Sequence, residues 1–188
     1  MPHIERTAHV GWDGNLARGA GTLDADSGAF ARLPFSLPSR VADPGGKTSP
    51  EELLAAAHGG CLTMSLAGEL TAAETPPGRL DVAVTIVMDE VEGQGHQIVG
   101  SQVEIVARVE GIDDAALQAA VEKADAGCPF SQLLKRAGAE VTVSARLGRS
   151  SPSWPRRGGR TRHSGRSRSN ARRCSSCSTL RGSRRRTT

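Results

Sequence analysis

Three observations predict an α+β fold: one long apolar helix with a marked start, alternating hydrophobic segments on either side of it, and two shorter helices before a final alternating segment. The order is β-hairpin, buried helix, β-hairpin, helices, strand. It implies antiparallel sheets around a buried central helix.

Residues 4–12 and 15–23 form the first hairpin around Asp13-Gly14, a common two-residue turn signal. Leu33 to Thr48, punctuated by Pro and Gly, gives a short strand and then a loop carrying Arg40. Ser49-Pro50-Glu51-Glu52 then starts the long helix, with Ser at the N-cap, Pro first and Glu52 three after the cap, a capping box. This helix runs to about Leu70 and is apolar nearly all round, through Leu53, Leu54, Ala55, Leu62, Met64 and Leu66, so it belongs in the interior. Gly59 and Gly60 each cost about 1 kcal/mol relative to Ala in a helix. They imply close approach of another backbone to the turn that holds Cys61.

After Thr75-Pro76-Pro77-Gly78, Val82, Val84, Ile86 and Met88 alternate along one segment, and Val103, Ile105, Ala107 and Val109 along the next. The Gly-rich Glu92–His96 turn joins them as an antiparallel hairpin. Asp113 caps a helix with Leu117, Ala120, Val121 and Ala124 inward, ending at Gly127. Cys128-Pro129 starts a third, short helix with Phe130, Leu133 and Leu134, closed by Gly138. Val141, Val143, Ala145 and Leu147 mark the last strand.

Charge divides the chain into two parts. Residues 1–148 carry 3 Lys and 8 Arg against 20 Asp and Glu, a net of −9. Residues 149–188 carry 13 Arg, no Lys and no acid. The first is an acidic globular domain, and the second has too little aliphatic content to form a core and reads as a disordered Arg/Ser-rich tail. No stretch approaches the roughly 20 apolar residues of a membrane span, and Met1-Pro2-His3-Ile4-Glu5-Arg6 does not open a secretory signal. Two cysteines 67 residues apart do not make a disulfide-dense scaffold. A cytoplasmic protein whose thiols do chemistry is expected.

Cys128 has the more specific local argument. A thiol at a helix N-terminus faces unsatisfied N–H groups and the positive end of the helix dipole, which favour thiolate. The plainer alternative is a buried Cys acting as a small hydrophobe. Cys61, inside an apolar helix, reads first as core. His58 lies three residues before it, a spacing open to a thiol–imidazole pair or a metal site, although a hydrogen-bonded packing residue is the simpler reading. Alone, Glu51 reads as a helix-start acid and Arg40 as a solvated loop charge.

Ser49-Pro50-Glu51-Glu52-Leu53-Leu54-Ala55-Ala56-Ala57-His58 through Cys61, followed by Gly127-Cys128-Pro129-Phe130-Ser131, resembles the OsmC/Ohr family, in its osmotically inducible protein C branch. Trp12-Asp13-Gly14 with Arg18-Gly19, and Ser39-Arg40, fit as well. The resemblance spans about residues 4–147. It implies a thiol-dependent peroxidase that reduces organic hydroperoxides, an intertwined homodimer with sites at the dimer interface and no metal or organic cofactor. By this similarity Cys61 is the peroxidatic thiolate and Cys128 the resolving thiol, forming a disulfide that an external dithiol reduces. Arg40 would hold the thiolate and polarise the peroxide, with Glu51 orienting it; Arg18 is a second candidate for the arginine.

Helix geometry adds its own constraint. Glu51 and Cys61 are 10 residues apart on one helix, hence about 15 Å along its axis. If both serve one site, Glu51 comes from the partner subunit. Burial should raise the Cys61 pKa, and an arginine within about 4–6 Å would oppose that. An apolar pocket beside a charged pair suits alkyl or fatty hydroperoxides over hydrogen peroxide. Competing readings are a thiol redox sensor or metal binder built on His58 and Cys61, tested by metal analysis.

The tail departs from the family pattern. As an arginine-rich arm it would bind nucleic acid with steep salt dependence, the one route by which nucleic acid enters. Cys174-Ser175-Ser176-Cys177 has redox-motif spacing without a strand–helix context. The favoured account is a G+C-rich gene read in a shifted frame, because every basic residue there is Arg. A weak, salt-dependent attraction to the acidic domain is a further alternative.

Overall fold

The computed structural model describes residues 3–148. The tail, with its expected disorder, its nucleic-acid and shifted-frame readings and the Cys174/Cys177 spacing, lies outside the described residues.

The first hairpin pairs β1 (Ala8–Asp13) with β2 (Ala20–Ala25), and β3 (Leu33–Phe35) adds to β2. Its connection is longer than the two residues expected from Asp13-Gly14. Asn15 closes a turn of its own, taking the Gly19 N–H on its carbonyl at 2.7 Å and the Arg18 N–H on its side chain at 3.0 Å. The Trp12 indole N–H donates to the Gly14 carbonyl at 2.9 Å. Gly19 is required there, since a Cβ would sit 2.5 Å from the Asn15 carbonyl oxygen and 2.7 Å from the Trp12 ring.

Arg40 is carried on a short helix, α1 (Leu37–Val41), not on the expected loop. Ser36 and Ser39 form a reciprocal capping box, each side chain accepting the other's backbone N–H, and that is enough to start a turn.

The long helix α2 spans Pro50–Ala72. The Ser49 side chain accepts the Glu52 N–H at 3.2 Å as expected. The second half of the box is replaced, because the Glu52 carboxylate accepts the Thr48 hydroxyl at 2.9 Å. Burial is one-sided: His58, Leu62, Leu66 and Leu70 are enclosed, whereas Ala56, Gly60, Met64 and Gly68 form an exposed row, with Met64 70% exposed. The expected all-round burial is therefore not met within one chain. The approach to Gly59 is made by the Val84 side chain, 3.0 Å from where a Cβ would stand, and not by a backbone; Gly60 faces open space.

The second hairpin pairs β4 (Arg79–Val91) antiparallel with β5 (Gly95–Arg108). Val82 lies opposite Ile105 and Val84 opposite Val103, so both alternating sets line one face. The register shifts between Val87 and Met88, where Val99 is the extra residue of a bulge. α3 (Asp114–Gly127) and α4 (Pro129–Arg136) cross over to β6 (Glu140–Leu147), which runs parallel to β5. This second sheet is thus mixed, because a helical crossover returns the chain in the same direction. On α4, Leu134 points into the core, whereas Leu133 is 59% exposed.

The core lies between α2, β5 and α3, built on Leu62, Leu66, Leu70, Val103, Ile105, Leu117 and Val121. Each of the large side chains contributes about 1.5–3 kcal/mol by burial. The β1–β2–β3 sheet has no comparable cover, and Val10 and Leu16 are exposed. Among the described residues no helix is long and apolar enough to cross a membrane.

Candidate functional site

Cys128 is the last residue before α4 and also ends α3. Pro129 excludes the residue before it from helical geometry, and Cys128 accordingly takes φ −75°, ψ 115°. The break turns its side chain into the core, where it is fully buried. There it lies beside Cys61, half-buried on α2, near enough to act on that thiol. Two residues 67 positions apart in sequence are thus neighbours, and both are free thiols.

The N-terminus of α4 does not act where the sequence suggests. The Cys128 side chain makes no cap hydrogen bond. The Phe130 N–H in this first turn acts on the Cys61 thiol, favouring its ionised form. Burial nonetheless pushes the Cys61 thiol above its ordinary value, the Cys128 hydrogen bond and charge add to this, and only the Phe130 N–H opposes it. Among the described residues no arginine acts on the thiol within one chain.

Arg40 and Glu51 form the second half of the candidate site. Arg40 Nε donates to Glu51 Oε1 at 2.9 Å and Nη2 donates to the same oxygen at 2.5 Å. Burial acts to raise the Glu51 carboxyl, but the Arg40 hydrogen bond, its own backbone N–H, the Arg40 charge and Ser49 together hold it below the usual range. Arg40 Nη2 also donates to the Met88 sulfur at 3.2 Å. The alternation places Met88 in one set with Val82, Val84 and Ile86; its place at the bulge, which no sequence pattern announces, brings it to the guanidinium. Arg18 is exposed in the β1–β2 connection, and Glu51 is paired with Arg40. With α2 unbroken from Pro50 to Ala72, this ion pair lies about 15 Å along the helix from Cys61. One chain thus brings together each pair, thiol with thiol and Arg with Glu, but not the two pairs with each other.

His58 is fully buried, with Nδ1 2.8 Å from the Ser101 hydroxyl on β5 and Nε2 2.8 Å from the Ser131 hydroxyl on α4. Both ring nitrogens are engaged, so the ring offers no free lone pair to a metal. Among the described residues no cluster of three or more His, Cys, Asp or Glu could hold an ion. The simpler reading of His58 as a hydrogen-bonded interior residue fits this geometry. Burial keeps its pKa below the ordinary value, with Asp125 opposing and Lys135 adding to the shift. Sequence reasoning passed over Ser101 and Ser131. Their signal was a hydroxyl on an otherwise apolar face: Ser101 heads the buried row Val103, Ile105, Ala107.

Comparisons with known proteins show the family of the chain. A family model described as OsmC-like protein matches residues 43–144, a span that includes Glu51, Cys61 and Cys128 and begins just after Arg40. Peroxiredoxin OsmC of Escherichia coli is 34% identical over 144 residues, covering 77% of this chain and 97% of that protein. The organic hydroperoxide resistance protein of Xanthomonas axonopodis pv. citri is 31% identical over 142 residues, covering 73% and 92%. Two solved structures share the fold. An organic hydroperoxide resistance protein from Elizabethkingia anophelis has TM-score 0.60 and 22% identity, covering 79% of this chain and all of that one (100%). An OsmC-like protein of unknown function from Vibrio cholerae has TM-score 0.63 and 15% identity, covering 77% and 100%. In sequence and in fold, this chain belongs to the OsmC-like family.

Proposed function

We propose that this chain is a thiol-dependent peroxidase that reduces organic hydroperoxides to alcohols in oxidative and osmotic stress defence in the cytoplasm. The observation that carries this reading is the contact of Cys61 with Cys128 at the head of α4. It is supported by relatives named peroxiredoxin OsmC and organic hydroperoxide resistance protein.

The Cys61 thiolate attacks the terminal peroxide oxygen. The O–O bond breaks, the alkoxide takes a proton and leaves as alcohol, and Cys61 becomes a sulfenic acid. The Cys128 sulfur then attacks the sulfenic sulfur, the S–O bond breaks and water leaves, giving a Cys61–Cys128 disulfide. An external dithiol returns both thiols by exchange.

The site is complete only in a homodimer. Burial alone would leave Cys61 a weak nucleophile, and the Arg40–Glu51 pair is too far along α2 to help its own thiol. In this reading the partner's α2 and α1 bring that pair to Cys61, where the guanidinium favours the thiolate and polarises the peroxide. The exposed row Ala56, Gly60, Met64, Gly68 and the uncovered first sheet supply apolar surface for such an interface. An apolar site beside one charged pair favours alkyl hydroperoxides over hydrogen peroxide.

The test is peroxide consumption with a dithiol reductant, using cumene hydroperoxide and hydrogen peroxide as substrates. Cys61→Ser should abolish turnover, and Cys128→Ser should let Cys61 over-oxidise or form mixed disulfides. Undiminished turnover in Cys61→Ser would sink the assignment. Faster reduction of hydrogen peroxide than of cumene hydroperoxide would remove the substrate preference.

A further inference from the structure

We propose that His58 and Ser131 form a non-covalent bolt that holds Cys128 against Cys61 while the disulfide is open, making both positioning residues for the resolving step. The inference rests on the peroxidase reading above. His58 precedes Cys61 by three residues on α2, and Ser131 follows Cys128 by three at the start of α4. Each tether residue is thus one helical turn from a cysteine. The 2.8 Å bond between His58 Nε2 and the Ser131 hydroxyl therefore runs beside the Cys61–Cys128 contact. Two cross-links join α2 to α4, and only one of them is made and broken in the catalytic cycle.

The bolt is itself anchored. His58 Nδ1 meets the Ser101 hydroxyl on β5 at 2.8 Å, so the ring is fixed from both sides, and all three side chains are fully buried. A neutral imidazole has one donor and one acceptor nitrogen, so one serine donates and the other accepts. Such a fixed relay is costly to break, because either loss strands a buried polar group. Cys128 needs this support. It sits at a break between two helices with no side-chain cap hydrogen bond, and α4 is only eight residues long.

The resolving reaction joins Cys128 Sγ to Cys61 Sγ and expels the sulfenic oxygen as water with the Cys128 proton, so its rate depends on how often the two sulfurs are in line. In the first step, attack of Cys61 on peroxide, Cys128 forms and breaks no bond. Loss of the bolt should therefore slow the second step selectively and leave the sulfenic acid exposed to a second peroxide, giving sulfinic acid.

The experiment follows both steps in single-turnover mixing of the reduced full-length protein with cumene hydroperoxide, and counts Cys61 sulfinic acid by mass spectrometry across a peroxide titration. Ser131→Ala is expected to consume the first equivalent as wild type does but to close the disulfide about tenfold more slowly, or roughly 1.4 kcal/mol of barrier. Its sulfinic acid should rise at lower peroxide. Ser131→Thr, which keeps the hydroxyl, should restore the wild-type ratio of the two rates. Ser101→Ala, which removes the far anchor, should show the same split in smaller measure and serves if Ser131→Ala does not fold. Wild-type disulfide closure in the alanine variants, or equal slowing of both steps, would overturn the proposal. Undiminished peroxide consumption by Cys61→Ser would instead overturn the peroxidase reading beneath it.

Discussion

Arg40 and Glu51, eleven residues apart, meet through two guanidinium nitrogens on a single carboxylate oxygen, at 2.5 and 2.9 Å. The pair joins the five-residue α1 to the first turn of α2. It fixes the direction of a guanidinium whose side chain stays 39% exposed. In the proposed dimer this is the charge that the partner's thiol would meet.

Removing that charge should damage the first chemical step most. Arg40→Met is expected to slow peroxide reduction by about 10²- to 10³-fold, the usual loss when one preorganised electrostatic group is deleted. Arg40→Lys should fall between, since an ammonium keeps the charge but not the planar fork. Glu51→Gln should cost less than Arg40→Met. First-turnover rates measure this series, and a wild-type rate in Arg40→Met would show that another cation serves the thiol, with Arg18 the next to replace.

Mixed dimers separate the two halves of the site. Cys61→Ser and Arg40→Met proteins should each be inactive or nearly so, yet unfolding and refolding them together should return activity. A hybrid dimer then holds one site with an intact Cys61 from one chain and an intact Arg40 from the other. No recovery on mixing, with hybrid dimers verified by mass, would place the arginine in the same chain as its thiol.

Gly60 tests the interface directly. A Cβ at this position meets nothing within 4 Å in the single chain, and Ala would improve the helix by about 1 kcal/mol. A bulky substitution should therefore spare the fold of one chain and obstruct a second α2 lying across it. Gly60→Leu is expected to be folded by circular dichroism, monomeric by light scattering and deficient in peroxide reduction. A fully active Gly60→Leu dimer would move the interface elsewhere.

The buried imidazole predicts an acid limit. Burial depresses the His58 pKa, so the unfolded chain takes up its proton at a higher pH than the folded one. The contribution is complete above the unfolded value of about 6.5 and is lost as pH falls through the folded value. Denaturant midpoints should accordingly drop below about pH 6.5, ahead of carboxylate titration. His58→Gln should lose that slope while being less stable at neutral pH. A wild-type midpoint unchanged until the carboxylate range would contradict it.

Much of the fold was legible in order. The Ser49-Pro50 start, the Asp113 cap, the 2-residue alternation of the second hairpin and the Cys128-Pro129 break are local signals, and each produced its element. What the chain order could not convey was direction and contact. β6 runs parallel to β5 because two helices intervene, and Arg40 is helical because Ser36 and Ser39 cap each other.

The candidate site divides in the same way. From the sequence, local physics singled out Cys128, the resemblance to the family added Cys61, Arg40 and Glu51 as candidates, and the helical rise by itself separated Glu51 from Cys61. Only the tertiary structure decided which groups meet: Cys61 with Cys128, Arg40 with Glu51, and His58 with Ser101 and Ser131. The reason is physical. Caps, turns and periodicity act within a few residues, whereas burial of α2 against β5 and α4 depends on shape and apolar area, which act across the chain without regard to sequence distance.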